Sequence, residues 1–520
     1  MSFQHVPLQL SEQTKASLKS GFKKVVDFLE QGGSLNLRIL DELQKGLSDT
    51  ILSSKQMTAI LQNATSSNEF FHVNLTFPDA EILNLPWGIA TDPISKRPLN
   101  EHPQIFISKN SLPKKPAIKP ATPGPLKILV MIASPKNLST KGRLNFEDEE
   151  RQIIQAFEPL FKSGAVQIDF TDDGSLDALR RKVKQNDYHI LHFSGHGYFD
   201  EKKSTGLLLL ENPLNLQSRP ATALEFAEAI LKEKHTIPLV MLSACQTAQA
   251  KFEQGIAGVT GTLLQKGIPA VVSMGMSIAD KYASRFAAHF YQGIAGKQSL
   301  AEAFSAARQE IKNEEAQEIQ QRNLKTIPLQ WIIPNLYLTD DIQLVDWNKS
   351  FTPLQPEEAR ILFANTTMEK SGVATDIFVG RREDYSRIMP LLAEKKPILL
   401  KGQGGIGKTT MAKKLIQRLK AFQPNLIPFI YNEEGKEFSL QAVLQQLKDF
   451  CLLHDKGGWI PLLENYKDNL IKQIIFLLTK IAGEFPILLL FDNLESFQHS
   501  KTGEFSIDHQ GTLQIIAHAI

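Results

Sequence analysis

The chain has 520 residues, with 58 Lys and Arg against 56 Asp and Glu, 42% hydrophobic residues and two cysteines. A charge balance this even supplies no global field to recruit nucleic acid or an anionic membrane. No apolar run approaches the roughly 20 residues that a membrane span requires. The amino terminus MSFQHVPLQLSEQ has neither the basic nor the apolar region of a secretion signal, and two cysteines exclude a disulfide framework or a four-thiolate metal site. A cytoplasmic protein of about three domains is expected.

From Ser11 to about Gln62, Leu18, Phe22, Val25, Val26 and Leu29 recur at three- and four-residue steps and predict helix, broken at Gly32-Gly33. Residues 71–77, FHVNLTF, alternate like a half-buried strand and lead into Leu85-Pro86-Trp87-Gly88. Five prolines between Ser111 and Pro125 mark an exposed connection between two halves of one sheet. An alternation of strand and helix follows. Strands are predicted over 127–133, 165–170, 188–193, 237–242 and 270–274, and helices over 146–161, 175–183, 223–232, 258–267, 280–295 and 299–313. This spacing predicts an α/β fold with a mostly parallel sheet and helices on both faces, closed by Pro328-Leu329-Gln330-Trp331 and the apolar stretch to Leu338. Periodicity is poor from Thr339 to about Thr375. The expected organisation is a helical segment over 1–40, an α/β domain over 41–342, a linker over 343–375 and a second, incomplete α/β domain over 376–520.

Two predicted strands end on chemistry. Tyr188 to Phe193 runs into Ser194-Gly195-His196-Gly197, and Ile237 to Leu242 runs into Ser243-Ala244-Cys245-Gln246-Thr247. If both strands are parallel in one open sheet, the loops at their carboxyl ends share a crevice. An imidazole base and a thiolate nucleophile would then face each other, the minimum equipment of a cysteine peptidase. The amides of Gly197 and Cys245 are the expected oxyanion donors. The histidine precedes the cysteine by 49 residues, the order and gap of caspase-like enzymes rather than of papain-like ones. Taken alone, Cys245 also reads as a small core hydrophobe. His189 and His192 read as satisfied core or surface histidines, and a zinc site from His192, His196 and Cys245 lacks a fourth ligand.

The pair HILHFSGHGYF and LVMLSACQTA resembles the signature of CHAT peptidases, a caspase-like family. LPWGIATD, PLKILVMIASP and IPLQWIIPNLYL resemble further segments of that family, over roughly residues 40 to 342. The resemblance implies His196 as general base, Cys245 as nucleophile and a caspase-like fold for residues 41–342. The chain departs from the family at Gly88, where Glu usually follows the LPW. It also has Ser243 where relatives cutting after Arg or Lys often carry Asp, so strict basic specificity is not expected.

A second motif stands in the last third. Pro397-Ile398-Leu399-Leu400 reads as a buried strand, and Gly402-Gln403-Gly404-Gly405-Ile406-Gly407-Lys408-Thr409-Thr410 fits a phosphate-binding loop opening a helix over Met411 to Lys420. Lys408 is expected on the β- and γ-phosphates and Thr409 on magnesium. Asp492, ending the apolar run Ile487 to Phe491, is the expected magnesium partner. Phe378-Val379-Gly380-Arg381-Arg382-Glu383 resembles the entry motif of STAND signalling ATPases, which places Val379, Gly380 and Arg381 beside the adenine. Asn493 follows Asp492 where many relatives have a second acid, so binding of ATP or ADP with Mg2+ is expected more than hydrolysis.

The combined expectation is a caspase-like cysteine endopeptidase that cleaves a partner protein under a nucleotide-binding STAND module, in bacterial stress or defence signalling. The STAND resemblance implies homo-oligomerisation on activation. The alternative is an ATP-binding signalling scaffold with an inert peptidase-like domain.

Overall fold

The computed structural model describes residues 2–30, 37–67, 69–78, 80–111, 120–138, 150–155, 157, 164–200, 205–231, 237–244, 252–275, 278, 280–322, 329–351, 382–403, 405–423, 425–431 and 440–491. The chain divides into two units, Met1–Glu369 with Val379–Arg382, and Lys370–Phe378 with Glu383–Ile520.

Strands of the first unit are β1 (Ser2–Pro7), β2 (Phe71–Phe77), β3 (Ile105–Ser111), β4 (Thr122–Pro123), β5 (Leu126–Ile132), β6 (Val166–Phe170), β7 (Ile190–Asp200), β8 (Thr205–Glu211), β9 (Ser218–Thr222), β10 (Leu239–Ala244), β11 (Ala270–Met274), β12 (Pro334–Leu338) and β13 (Val345–Asp346). Among the described residues, eleven of these form one sheet in the order β1-β2-β3-β12-β11-β10-β7-β5-β6, with β8 added to β7 and β9 to β8. Two parallel blocks compose it. Strands β1, β2, β3 and β12 run one way, and β11, β10, β7, β5 and β6 run the other. They meet at the antiparallel pair β11/β12, where Ala270 faces Leu338 and Met274 faces Pro334. The proline-rich segment after β3 therefore does join two halves of one sheet.

The central strands are covered on both faces, and their sequences show it. Leu126 and Ile128 to Ile132 of β5, and Leu239 to Leu242 of β10, are all buried, the continuous apolar runs expected of parallel strands between helix layers. The helices of this unit are α1 (Glu12–Glu30), α2 (Leu37–Leu52), α3 (Lys55–Ser66), α4 (Ala80–Leu83), α5 (Leu176–Gln185), α6 (Ala223–Ile230), α7 (Phe252–Gln265), α8 (Asp280–Ala295) and α9 (Leu300–Arg322). Local chemistry fixes several starts. Ser175 caps α5 by accepting from the Ala178 amide at 3.1 Å, and Thr222 with Glu225 forms a reciprocal capping box on α6.

The fold differs from the expectation in several places. Strand β7 does not stop at Phe193 but continues to Asp200, because residues 196–200 pair antiparallel with β8. The hairpin β8–β9, which lies between the predicted strand over 188–193 and the helix over 223–232, was not anticipated. The first element is a strand, β1, placed at the edge of the sheet ahead of α1. Val345–Asp346 pairs with β4, so the first unit continues beyond Ile342. Of the helix predicted over 146–161, only residues 150–155 and 157 are described, and they are helical.

In the second unit, β14 (Ile427–Tyr431) pairs parallel with β15 (Ile487–Phe491), accompanied by α10 (Arg382–Ala393), α11 (Lys408–Phe422), α12 (Leu440–Leu453) and α13 (Leu470–Glu484). Val443, Leu444 and Leu447 of α12 and Ile474, Leu477 and Ile481 of α13 share a buried cluster. The buried strand expected over Pro397 to Leu400 is not formed. Those residues are not assigned to a strand, and the Leu399 side chain is 71% exposed.

Candidate active site

The second parallel block brings the carboxyl ends of β5, β6, β7, β10 and β11 to one sheet edge. Pairing of β7 with β10 runs in register from Ile190 opposite Leu239 to Gly195 opposite Ala244, and pairing of β7 with β5 ends at Ser194 opposite Ile132. After Gly195, the next residue of β7 is His196. The next residue in sequence after Ala244 is Cys245, which lies outside the described residues. His196 is buried and faces Leu209 across the hairpin, and Gly197 faces Leu208.

His196 thus stands inside a strand, not in a loop past its end, and β8 holds it from the side. Gly195 serves packing here. A Cβ at this position would lie 2.5 Å from Phe193 Cζ and 3.3 Å from Ala133 Cβ, and the buried Phe193 ring is already set edge-on against Phe226 with centroids 5.5 Å apart.

The neighbouring histidines are engaged elsewhere. His189 Nδ1 accepts the Lys127 amide at 2.9 Å, and its Nε2 bonds Thr122 Oγ1 at 2.6 Å. The Tyr291 hydroxyl donates to Met241 Sδ at 3.3 Å, which leaves its oxygen to accept from His192 Nδ1 at 2.9 Å. Burial pushes the His192 pKa down to about 4, so this ring is neutral and structural. Its Nδ1 is therefore not open to the zinc arrangement that the sequence admits.

One residue beside the crevice escaped the sequence reading. Glu211 ends β8 fully buried. Its Oε1 accepts the Ser134 amide at 2.6 Å and its Oε2 accepts the Gly174 amide at 3.0 Å, while its own amide donates to Gly174 O at 2.9 Å. A single carboxylate therefore fastens the loops that follow β5 and β6 to the strand that flanks His196. The signal was a charged residue closing the run GLLLL, where a buried strand would otherwise continue.

The CHAT domain family matches residues 46–353, more than half of the chain. The chain belongs to the CHAT domain family. The CHAT domain so defined spans β2 through β13 and contains both strands of the candidate dyad. Among solved structures it is similar to the Arg-specific cysteine proteinase gingipain R, at 9% identity over 66% of this chain and 78% of that chain, with a TM-score of 0.32. It is also similar to the complex of Porphyromonas gingivalis RgpB pro- and mature domains, at 10% identity over 66% and 79%, TM-score 0.33. A third similarity is to the Saccharomyces cerevisiae separase–securin complex, at 12% identity over 64% of this chain and 22% of that chain, TM-score 0.29. No curated protein matches the chain. Among the described residues no helix is long and apolar enough to cross a membrane.

Outside the CHAT domain, the glycine-rich loop turns through two left-handed glycines into α11. Gly407 caps α11 with φ +90° and Gly405 has φ +76°, both left-handed, with open space where a Cβ would stand. Lys408 Nζ folds back onto the loop, donating to Gly402 O at 3.0 Å and Gln403 O at 3.3 Å. Thr409 and Thr410 occupy the first turn of α11. Gly404, Val379, Gly380, Arg381 and Asp492 lie outside the described residues; β15 ends at Phe491, the residue before Asp492.

Proposed function

We propose that the CHAT domain is a cysteine endopeptidase acting on a partner protein, with His196 as general base and Cys245 as nucleophile. The observation that carries this reading is the register of β7 against β10, which ends with Gly195 opposite Ala244, one residue short of the histidine on one strand and of the cysteine on the other. In the proposed reaction the Cys245 thiol gives its proton to His196, and Sγ attacks the substrate carbonyl carbon to form a carbon–sulfur bond. The amides of Gly197 and Cys245 hold the oxyanion. The scissile carbon–nitrogen bond breaks as His196 returns the proton to the leaving amine. Water then attacks the thioester, giving a proton to His196, and the thiol is restored as the new carboxyl terminus leaves.

The second unit is proposed to bind ATP or ADP with Mg2+, as a STAND-type module that gates the peptidase through homo-oligomerisation in a bacterial cytoplasmic stress or defence response. What supports nucleotide binding is the loop with two left-handed glycines, Gly405 and Gly407, leading into α11. Gly402, Gly404, Gly405, Gly407, Lys408, Thr409 and Thr410 would hold the phosphates, Asp492 would assist at magnesium, and Val379 to Arg381 would border the base. The nucleotide would supply charge to order the loop and to set the state of the module.

The test needs no substrate. Cys451 is buried in α12, and burial raises its thiol pKa; Cys451→Ser leaves Cys245 as the single thiol. Its alkylation rate is measured against pH with and without His196→Ala. Fast modification near neutral pH that slows when His196 is removed is the expected outcome. A rate following an ordinary thiol of pKa about 8.5, indifferent to His196, would leave the inert scaffold as the better reading.

A further inference from the structure

Strands β7 and β10 carry the candidate dyad, and their paired segments give little local reason to prefer one register over another. From Ile190 to Phe193 and from Leu239 to Leu242 every residue is buried, and His192 is the only polar one. Apolar side chains suit either face of a strand that is covered on both, so they do not distinguish the observed register from a slipped one. The register nevertheless decides the chemistry. A slip of two residues would carry His196 about 6.6 Å along the sheet relative to the end of β10. A slip of one would set the two candidate side chains on opposite faces.

The polar atoms of this stretch meet in one place. His192 stands directly opposite Met241, and the fully buried Tyr291 of α8 reaches both. His192 Nδ1 donates to its oxygen at 2.9 Å, and its hydroxyl donates to Met241 Sδ at 3.3 Å. Phe157 backs the group edge-on, with ring centroids 5.2 Å from Tyr291 and 6.1 Å from His192. One hydroxyl can serve both strands only while residue 192 lies opposite residue 241. Side chains alternate along a strand, so His192, Ser194 and His196 share one face, and Met241 and Ser243 share it across from them. Tyr291 therefore packs on the face of His196, two rows in from it, with the buried pair Ser194 and Ser243 between. Continuing the pairing by one residue past Gly195 and Ala244 sets position 245 opposite His196.

We infer that Tyr291 is a positioning residue for the proposed dyad: by bonding His192 and Met241 together it keys the register of β7 on β10 that brings His196 opposite position 245. The inference rests on the peptidase reading and adds to it the group that aligns the two strands. A hydrogen bond to sulfur is weak, but a slipped pair would leave a buried ring nitrogen and a buried hydroxyl without partners. That penalty is what makes the register specific.

The test uses the full chain in the Cys451→Ser background and follows Cys245 alkylation by iodoacetamide against pH, together with the urea midpoint. Tyr291→Phe deletes the shared oxygen and keeps the ring. It is expected to slow the His196-dependent alkylation at neutral pH by roughly 10- to 100-fold and to move the pH midpoint toward that of an ordinary thiol, about 8.5. The urea midpoint should fall as well, because the His192 nitrogen is left unpaired. Adding His192→Leu removes that unpaired nitrogen, and the double variant is expected to regain the urea midpoint without regaining the alkylation rate. A purely structural tyrosine would give both back together. Recovery of rate along with stability in the double variant, or an unchanged pH profile in Tyr291→Phe, would overturn the inference and leave the dyad standing. A wild-type rate indifferent to His196→Ala would remove the dyad itself and the inference with it.

Discussion

Replacing Glu211 tests how the crevice is assembled. Its carboxylate is fully buried and accepts two amides, from Ser134 at 2.6 Å and from Gly174 at 3.0 Å. Hydrogen bonds to a charged acceptor contribute roughly 1.5–3 kcal/mol each. Glu211→Gln keeps one oxygen but turns an NH2 toward the other amide, so one charge-assisted bond becomes a clash of donors. A loss of about 2–4 kcal/mol follows. Glu211→Ala removes both acceptors and strands two buried amides, for about 3–6 kcal/mol, a large share of the roughly 5–15 kcal/mol by which domains are ordinarily stable. Glu211→Asp should resemble Gln, because a carboxylate drawn back by one methylene cannot reach both loops. Urea unfolding of the wild type and the three variants measures this, with the midpoint shifting at unchanged slope. A midpoint for Glu211→Gln equivalent to less than about 0.5 kcal/mol of change would refute the clamp.

Lys408→Ala should weaken binding of a fluorescent ATP analogue with Mg2+ by at least about tenfold, or 1.4 kcal/mol, in an equilibrium titration; unchanged affinity would remove the phosphate loop from the proposal. The pH dependence of stability has two opposed parts. Burial lowers His192 to about 4 and His72 to about 3, so the unfolded chain takes up these protons first as pH falls below about 6.5. Their contribution is full above that value and is lost down to the folded pKa values, about 3 kcal/mol for His192 alone. Glu315 goes the other way. Burial raises it to about 7, so its contribution is full below about 4.5 and lost as pH rises through 7. Between about pH 4.5 and 6.5 the two histidines outweigh the one acid, and stability should rise with pH. Chemical unfolding across this range should show a shallower slope in His192→Phe and a steeper one in Glu315→Gln, and the reverse ordering would contradict the assignment.

The strands of the second block were legible because each is a short apolar run bounded by turn residues, and parallel strands under two helix layers leave that trace. Ala270–Met274 and Asp280–Ala295 stand where the spacing predicts them. The extension of β7 was not legible, since Ser194-Gly195-His196-Gly197 has the composition of a turn. What keeps it extended is a distant partner, β8, whose run GLLLLE has no periodicity to separate strand from helix. Pro397 to Leu400 failed in the opposite sense: an apolar run predicts burial, yet a run of four residues carries no information about a pairing partner, and Leu399 is exposed.

The same limit explains which parts of the site could be read in advance. His196 and Cys245 announce themselves by following apolar runs, so local pattern suffices to nominate them, and the register of β7 on β10 supports bringing their strand ends together. Glu211, Ser134 and Gly174 meet only because β8 folds back on β7 and its last residue reaches the loops after β5 and β6, and nothing near any one of them in sequence encodes the other two. Arg308 is the extreme case. Its surroundings come from Gly88, Asn100 and Trp331, in segments that α9 and the first block of the sheet draw together. An exposed arginine on a charged helix is the ordinary reading of its neighbourhood, RQEIKNEE. Burial instead ties its Nε to the Trp331 carbonyl at 3.0 Å, a placement that residue pattern alone does not carry.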